Sequence, residues 1–278
     1  MSTAANAIDG VWYNVYGSKM TLTSNPATGL IIGTYSSTTG SSGRYTVLGY
    51  TRSSSTGPVA GANGFSVSLN IGWKSLDGGQ GDPSWSCVSG LAGQFVVDAG
   101  GNPVLNLIHQ FVAPNDVPLG GTQQFQTGIS SDKLVYTRTP PAGAVAETGG
   151  SGAAMPQLPQ EAVAAQSWTC VEDPGISFTQ YEPYEGAFSG QYVMHGYSGP
   201  LAGQYDAAFP GDGAFYQSYC LSTLSQDPQT GAPMCVALAG WINPASGKLE
   251  VLEMRSVGTT WDARYAGVRT RGLTFTPG

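Results

Sequence analysis

The chain has 278 residues and a formal net charge of −7, and only 10% of its residues are charged, against roughly 25% in an average soluble domain. Its 40 glycines and 18 prolines exclude long helices as the main element, and 10% aromatic residues favour packed cores over disorder. No run of Lys or Arg offers the basic face that binds phosphates. No apolar stretch approaches the roughly 18 residues of a transmembrane helix. The sequence therefore predicts a folded β-rich protein without a nucleic-acid partner or a membrane span.

Eight short segments of alternating polar and apolar residues follow one another in the first half of the chain, separated by turn residues. These predicted strands are 10–16, 19–24, 30–37, 45–51, 64–73, 88–98, 104–112 and 124–138. Eight sequential antiparallel strands close naturally into an up-and-down barrel, because closure removes the exposed sheet edges. The interior of such a barrel holds about one small ligand.

A segment without aromatic residues, 139–166, is rich in Ala, Gly and Pro and predicts a linker. It separates a first domain, 1–138, from a second, 167–278. The two halves share short sequences in the same order, for example Leu-Ala-Gly at 91–93 and again at 238–240. This repetition indicates a duplication. We therefore predict an all-β fold of two tandem eight-stranded antiparallel up-and-down β-barrels.

The most specific stretch of the chain is GVWYNVYGSKMTLT at 10–23, followed by GLIIGTYSS at 29–37. These sequences resemble the avidin and streptavidin family, and the opening resembles its fungal tamavidin members. The resemblance covers nearly the whole first half and, more weakly, the second. It implies an avidin-like barrel that holds biotin, as a ligand and not as a cofactor, in its open end.

The resemblance implies five residues for the polar half of a biotin site. Asn14, Ser18 and Tyr35 correspond to the groups that donate hydrogen bonds to the ureido carbonyl. Ser37 and Asp132 correspond to those that accept hydrogen bonds from the two ureido N–H groups. The alternative is that these are ordinary polar strand residues facing solvent.

The apolar half of the site departs from the family pattern. Leu91 and His109 stand where the family has Trp, and the fourth-strand Trp corresponds to Leu69 or Trp73. Tyr16 replaces a smaller apolar residue and narrows the mouth. His109 is either a ligand contact that confers pH dependence or a histidine satisfied inside the barrel. The complete candidate site is Asn14, Tyr16, Ser18, Tyr35, Ser37, Leu69, Trp73, Ser89, Leu91, His109, Asp132 and Trp261.

Trp261 belongs to the second half but occupies the position from which a family Trp reaches into the neighbouring subunit's pocket. The resemblance therefore suggests an internal dimer in which Trp261 closes the first site, and the alternative is local packing. Family members are dimers or tetramers, so two such chains would form a pseudo-tetramer. Trp241, Val251 and Met254 lie on the strands expected at the interface.

The second half lacks the polar set. Cys170 or Val171 stands near the expected Asn, Met194 replaces the second-strand Ser, and Gly272 falls near the expected Asp. This composition predicts a drier interior that serves as a scaffold or binds an apolar ligand. The four cysteines are expected to be small buried residues, and the alternative is a Cys220–Cys235 bridge across a hairpin.

We predict a non-catalytic protein that binds biotin or a biotin-like ureido ligand in its first barrel, more weakly than typical avidins. The alternative is a defence or interaction protein that uses the scaffold without binding biotin. Only two histidines exist and the chain has no GxSxG, HExxH or Walker sequence, so neither an enzyme nor a metal or cofactor site is predicted. The N-terminus has no signal-peptide pattern, which leaves a cytoplasmic protein or a secreted one with its leader removed.

Overall fold

In this computed structural model, eight strands of the first half of the chain pair side by side and close into a barrel. The structure describes residues 7–37, 43–52, 64–78, 83–118, 124–142, 144, 166–181, 186–265 and 267–278. The predicted linker at 139–166 lies almost entirely outside these residues. No helix among the described residues is long and apolar enough to cross a membrane.

The first barrel is built from nearly the strands that the sequence predicts. They are β1 (Gly10–Asn14), β2 (Lys19–Ser24), β3 (Leu30–Ser36), β4 (Arg44–Thr51), β5 (Phe65–Ser75), β6 (Val88–Val97), β7 (Pro103–Ala113) and β10 (Gly128–Thr137). Every neighbouring pair is antiparallel, and β10 pairs with β1 to close the barrel. Between β7 and β10 the chain forms a separate two-stranded sheet, β8 (Val117–Pro118) and β9 (Gln124–Phe125), and a 3-10 helix at Pro83–Ser86 precedes β6.

The second half forms another closed eight-stranded antiparallel barrel, so the predicted tandem fold is confirmed. Its strands are β11 (Gln166–Cys170), β12 (Ile176–Gln180), β13 (Ala187–Met194), β14 (Tyr197–Tyr205), β15 (Gln217–Gln226), β16 (Pro233–Ile242), β17 (Leu249–Val257) and β18 (Val268–Pro277). Each barrel has its own apolar core. In the first it surrounds the fully buried Trp12, and in the second the nearly buried Trp168.

The outer faces of β4–β7 and β14–β17 pack against each other. Asn70 donates from Nδ2 to the Ser222 hydroxyl (3.1 Å) and to the Ala202 carbonyl (3.0 Å), and the Ser66 hydroxyl donates to Cys235 Sγ (3.3 Å). All of these groups are buried. Buried polar groups must be paired, so these bonds fix how one barrel sits on the other.

The centre of the interface has a reciprocal pattern. Gly90 lies against Ala239, to which a Cβ at Gly90 would be 2.8 Å away. Two residues along each strand, Ala92 packs with Ala237 and Met254. The shared leucine is Leu91 in the first barrel and Leu238 in the second. Gly90 and Ala237 directly precede these leucines, and Ala92 and Ala239 directly follow them. Gly90 therefore meets the counterpart of Ala92, and Ala92 meets the counterpart of Gly90, which is the arrangement of a pseudo-two-fold interface.

Gly90→Val is expected to reduce the free energy of unfolding by about 1–3 kcal/mol, because a Cβ at Gly90 would lie 2.8 Å from the Ala239 Cβ. Chemical denaturation measures this loss. The control is Gly272→Val, since nothing lies within 4 Å of a Cβ at Gly272. Equal losses in both variants would show that strand glycines, and not the packing of the barrels, determine the effect.

All four cysteines, Cys87, Cys170, Cys220 and Cys235, are free and buried, so the predicted small buried residues are confirmed and the Cys220–Cys235 bridge is wrong. Although β15 and β16 are neighbours, Cys220 lies opposite Ala239 and Cys235 lies opposite Leu224. Val251 is a further difference, because its side chain belongs to the second core and not to the interface. Both errors concern register and side-chain direction, which turn residues alone do not determine.

Candidate functional site

One end of the first barrel, which we call the site end, is formed by the last residues of β1, β3, β5 and β7 and the first residues of β2, β4, β6 and β10. Asn14 lies there at the end of β1, with 3% of its surface exposed. Its Oδ1 accepts hydrogen bonds from the backbone N–H groups of Tyr16 (3.1 Å) and Ser18 (3.0 Å). Asn14 therefore holds the β1–β2 turn, in which Gly17 has a φ of 84° that favours glycine.

A polar cluster surrounds the Tyr35 hydroxyl at the site end. Tyr35 is 6% exposed and Ser18 is 1% exposed. Burial raises the pKa of Tyr35, and hydrogen bonds with Ser18, Ser37, Tyr136 and Asn14 offset part of that rise. The phenol is therefore neutral at physiological pH and can donate a hydrogen bond. Four of the five predicted polar residues thus come together, and the sequence reasoning missed Tyr136.

Asn14 and Tyr16 fall on one face of the predicted strand 10–16, because side chains alternate along a strand, but the structure does not place Tyr16 on that face. β1 ends at Asn14, and Tyr16 lies in the following turn with 56% of its surface exposed. Strand alternation does not apply beyond the end of a strand, so the predicted orientation is wrong.

An aromatic cluster borders the polar one. The Trp73 ring is 5.8 Å from Tyr35, 5.1 Å from Tyr45 and 5.4 Å from Phe111, measured between ring centroids. All four side chains are at most 8% exposed. Trp73, of the two alternatives weighed for the fourth strand, is the one in this cluster. The sequence reasoning missed Tyr45 and Phe111, although Phe111 alternates in step with His109. Tyr45 lies opposite Tyr35 on the neighbouring strand.

Leu69 and Leu91 lie deeper in the same barrel. They are opposite each other on β5 and β6, and both are fully buried in the core. They extend the apolar interior below Trp73 but bring no aromatic ring to it. The wall of the site is therefore aromatic at its rim and aliphatic beneath.

A hydrogen-bonded chain crosses this wall. Trp73 donates from Nε1 to the Ser89 hydroxyl at 2.9 Å, and His109 Nε2 is 2.9 Å from the same hydroxyl. An indole nitrogen only donates, so the Ser89 hydroxyl accepts from Trp73 and is free to donate to an unprotonated His109 Nε2. Burial lowers the pKa of His109 to about 4, and the charge of Asp132 opposes that shift. His109 is therefore neutral at physiological pH.

Asp132 lies opposite His109 on the neighbouring strand β10. It alternates in step with the buried Leu134 and Tyr136, so its Cβ faces the barrel interior. Its side chain is nevertheless exposed, and Oδ1 accepts the backbone N–H of Lys133 at 2.6 Å. Asp132 thus lies on the correct strand but apart from the buried polar cluster.

Trp261 lies in a turn of the second barrel, where the guanidinium of Arg264 is 3.9 Å from the centre of its ring. The Arg264 carbonyl accepts hydrogen bonds from Gln94 Nε2 (2.7 Å) and Asn106 Nδ2 (3.3 Å). Gln94 and Asn106 alternate with the core residues of β6 and β7, so they lie on the outer faces of these strands. These contacts place the Trp261 turn on the outside of the first barrel and favour local packing over closure of its site.

The corresponding end of the second barrel contains buried charges, so the predicted dry interior is wrong at this level. Glu253 is fully buried, and its Oε2 accepts hydrogen bonds from Arg255 Nε (2.7 Å) and Arg271 Nε (2.6 Å). The Tyr192 hydroxyl donates to Oε1 at 3.3 Å. Burial, and then the charge of Glu253, raise the pKa of Tyr192 far above its usual range.

The strand register shows what replaced the first site. The leucine of the Leu-Ala-Gly sequence shared by β6 and β16 lies opposite His109 in the first barrel and Glu253 in the second. The next strand places Asp132 opposite His109 and Arg271 opposite Glu253. Arg271, and not Gly272, is therefore the counterpart of Asp132. The chain's own side chains occupy the second site with an internal ion pair.

Residues 2–127 match the model described as the Avidin family. The first barrel is an avidin-family domain. The match ends one residue before β10, which carries Asp132. No curated protein matches the chain. Among solved structures, the X-ray structure of the biotin binding protein from chicken is similar at 16% identity with a TM-score of 0.35, and the match covers 49% of this chain and 100% of that one.

Proposed function

We propose that the first barrel binds biotin or a related ureido ligand without catalysis, at one site per chain. The observation that carries the proposal is the buried cluster of Asn14, Ser18 and Tyr35 beside Trp73 in an avidin-family domain. A ureido group is flat and has one carbonyl acceptor and two N–H donors. The neutral Tyr35 phenol and the Ser18 hydroxyl suit the acceptor, and Ser37 and Asp132 suit the donors.

The affinity is expected to be well below that of avidins with a complete tryptophan wall. Buried aromatic anchors commonly contribute about 2 kcal/mol or more to binding, and about 1.4 kcal/mol is a tenfold change. Leu91 and His109 replace two such anchors, which predicts a loss on the order of a thousandfold. Tyr45 and Phe111 keep the rim aromatic, so part of the apolar contact remains.

Titration calorimetry of the full chain with biotin tests the proposal. We expect heat corresponding to one ligand per chain, since Glu253 and Arg271 occupy the second site. Asn14→Ala and Asp132→Ala are each expected to weaken binding by about 1–3 kcal/mol, because each leaves a buried ligand group unpaired.

Matched controls separate ligand contacts from turn stability. Asn243 holds a turn of the second barrel in the same way as Asn14, by accepting the backbone N–H groups of Ala245 and Ser246. Asn243→Ala, and Asp262→Ala at an exposed aspartate, should bind biotin as the parent chain does. The absence of heat at millimolar biotin would contradict the proposed ligand, and two sites per chain would contradict the assignment of the second barrel.

A further inference from the structure

A cleft of about 320 Å³ with mixed polar and apolar walls lies between the two barrels. Its walls include Gly72, Lys74 and Trp85 of the first barrel and Tyr205 and Asp206 of the second. A cavity of this size is in the range of small-molecule sites, which begins at roughly 300 Å³. It exists only because the two barrels are packed together.

Close approach of two strands forms one side of the cleft. A Cβ at Gly72 would lie 2.5 Å from Gln204 Oε1, so a larger residue there would displace the Gln204 side chain. The Gln204 amide nitrogen donates to the Asn70 side chain at 3.0 Å and to the Thr46 carbonyl at 3.3 Å. This wall is therefore fixed by hydrogen bonds between the barrels and is formed before any ligand arrives.

Asp206 brings a buried carboxyl group to the cleft. It is 6% exposed, and its Oδ1 accepts the Ala208 backbone N–H at 2.8 Å. Its Oδ2 is buried without a hydrogen-bond donor among the described residues. Burial, and then a side-chain hydrogen bond with Asp212, raise the pKa of Asp206 to about 7. Lys74 lies at the cleft but is exposed, and no ion pair joins it to Asp206 in the part of the chain that the structure describes.

The aromatic walls indicate which cation suits this carboxylate. Trp85 and Tyr205 line the cleft, one from each barrel, and aromatic faces attract organic cations. A metal ion needs several oxygen or nitrogen ligands, and the described residues contain no group of three or more His, Cys, Asp or Glu that could hold one. The cleft is also much larger than a bare ion requires.

We propose that the cleft between the barrels binds a small organic ammonium ion, with Asp206 as the counter-ion and Trp85 and Tyr205 as aromatic walls. The site lies on the other side of Trp73 from the ureido cluster, because Trp73 lines the cleft and also contacts Tyr35. Its proposed counter-ion, Asp206, belongs to the second barrel and not to the ureido site. A bound ammonium group would act as the counter-ion of an ionised Asp206. Binding therefore favours loss of the Asp206 proton, and affinity rises with pH.

The experiment titrates the full chain with methylammonium and tetramethylammonium chlorides, at constant ionic strength balanced with sodium chloride, and follows tryptophan fluorescence and heat. We expect saturable binding at pH 8. The affinity at pH 5 should be at least roughly tenfold lower, since the proton on Asp206 must then be displaced. Asp206→Asn keeps the acceptor for Ala208 and should abolish binding. Trp85→Leu should weaken it severalfold.

Two controls make the result decisive. Asn14→Ala changes the first barrel and should leave ammonium binding unchanged, whereas Asp206→Asn should leave the biotin titration unchanged. Failure of one proposal is thus distinguishable from failure of the other. Equal affinity in the parent chain and Asp206→Asn would overturn the proposal, as would the lack of saturation by either probe up to about 100 mM.

Discussion

Glu253→Gln is expected to lower the free energy of unfolding by about 3–5 kcal/mol, the largest effect we predict for a single side chain. The substitution keeps the size of the side chain but removes the charge that pairs with Arg255 and Arg271. Arg255 is 19% exposed at its side chain, so its charge would remain partly buried without a counter-ion. Thermal and chemical unfolding of the full chain measure the loss.

The control for this loss is an ion pair on the surface. Asp77 Oδ1 and Arg44 Nη2 are 2.7 Å apart, and the two side chains are 41% and 24% exposed. Asp77→Asn is expected to lower the free energy of unfolding by less than about 1 kcal/mol. A second test replaces the whole buried network. The triple variant Glu253→Leu, Arg255→Met, Arg271→Leu should be more stable than Glu253→Gln, because it leaves no buried charge unpaired and only the Tyr192 hydroxyl loses its acceptor. A triple variant as unstable as Glu253→Gln would show that packing, and not charge, sets the effect.

His109→Phe is expected to change how stability depends on pH. The pKa of His109 is about 4 in the fold, below its ordinary value of 6.5, because desolvation of the partly buried ring disfavours its charged form. The unfolded chain therefore takes up a proton between pH 6.5 and 4 that the folded chain does not. The free energy of unfolding contributed by this site falls by about 3 kcal/mol as pH drops through that window and is constant below it. His109→Phe removes this contribution.

Asp206 acts in the opposite direction over the same range. Its pKa of about 7 lies above its ordinary value of 3.8, so its contribution to stability is fully present below pH 3.8 and is lost as pH rises through 7. In the parent chain, the contributions of His109 and Asp206 to the free energy of unfolding therefore change with pH in opposite directions. We therefore expect the clearest His109 effect in an Asp206→Asn background, measured by denaturant unfolding from pH 4 to 8. His195→Asn removes the other histidine, from an exposed turn, and controls for loss of an imidazole. An unchanged pH slope in His109→Phe would contradict the neutral, buried assignment.

The strands of the first barrel could be predicted to within a few residues, because alternation and turn residues are local properties. The family resemblance, and not this local reasoning, identified Asn14, Ser18, Tyr35 and Ser37. The local reasoning agrees with their places, since each lies close to a strand end. It was wrong for Tyr16, where the chain leaves the strand two residues earlier than the pattern suggests. It also passed over Tyr45, Phe111 and Tyr136, aromatic residues that are common in any barrel core. Their position at the site end depends on closure of the barrel.

The charged pair in the second barrel shows why local patterns were insufficient there. Glu253 and Arg271 lie 18 residues apart in sequence, and only the register of β17 on β18 places them opposite each other. A shift of one residue would direct these side chains to the other face of the sheet. The sequence could show that the polar set was lost but not what had taken its place.

By itself the sequence determined the all-β class, the duplication, the strand positions in the first barrel and most of its polar site. The class and the strand positions follow from residue period and from turn residues, which act over a few positions along the chain. The duplication follows from the repeated sequences, and the polar site follows from the family resemblance. Only the tertiary structure decided the pseudo-two-fold packing at Gly90, the internal ion pair of Glu253 and the cleft at Asp206. These depend on contacts between strands that are distant in sequence, and burial, which sets the pKa of His109 and of Asp206, exists only after those strands have met.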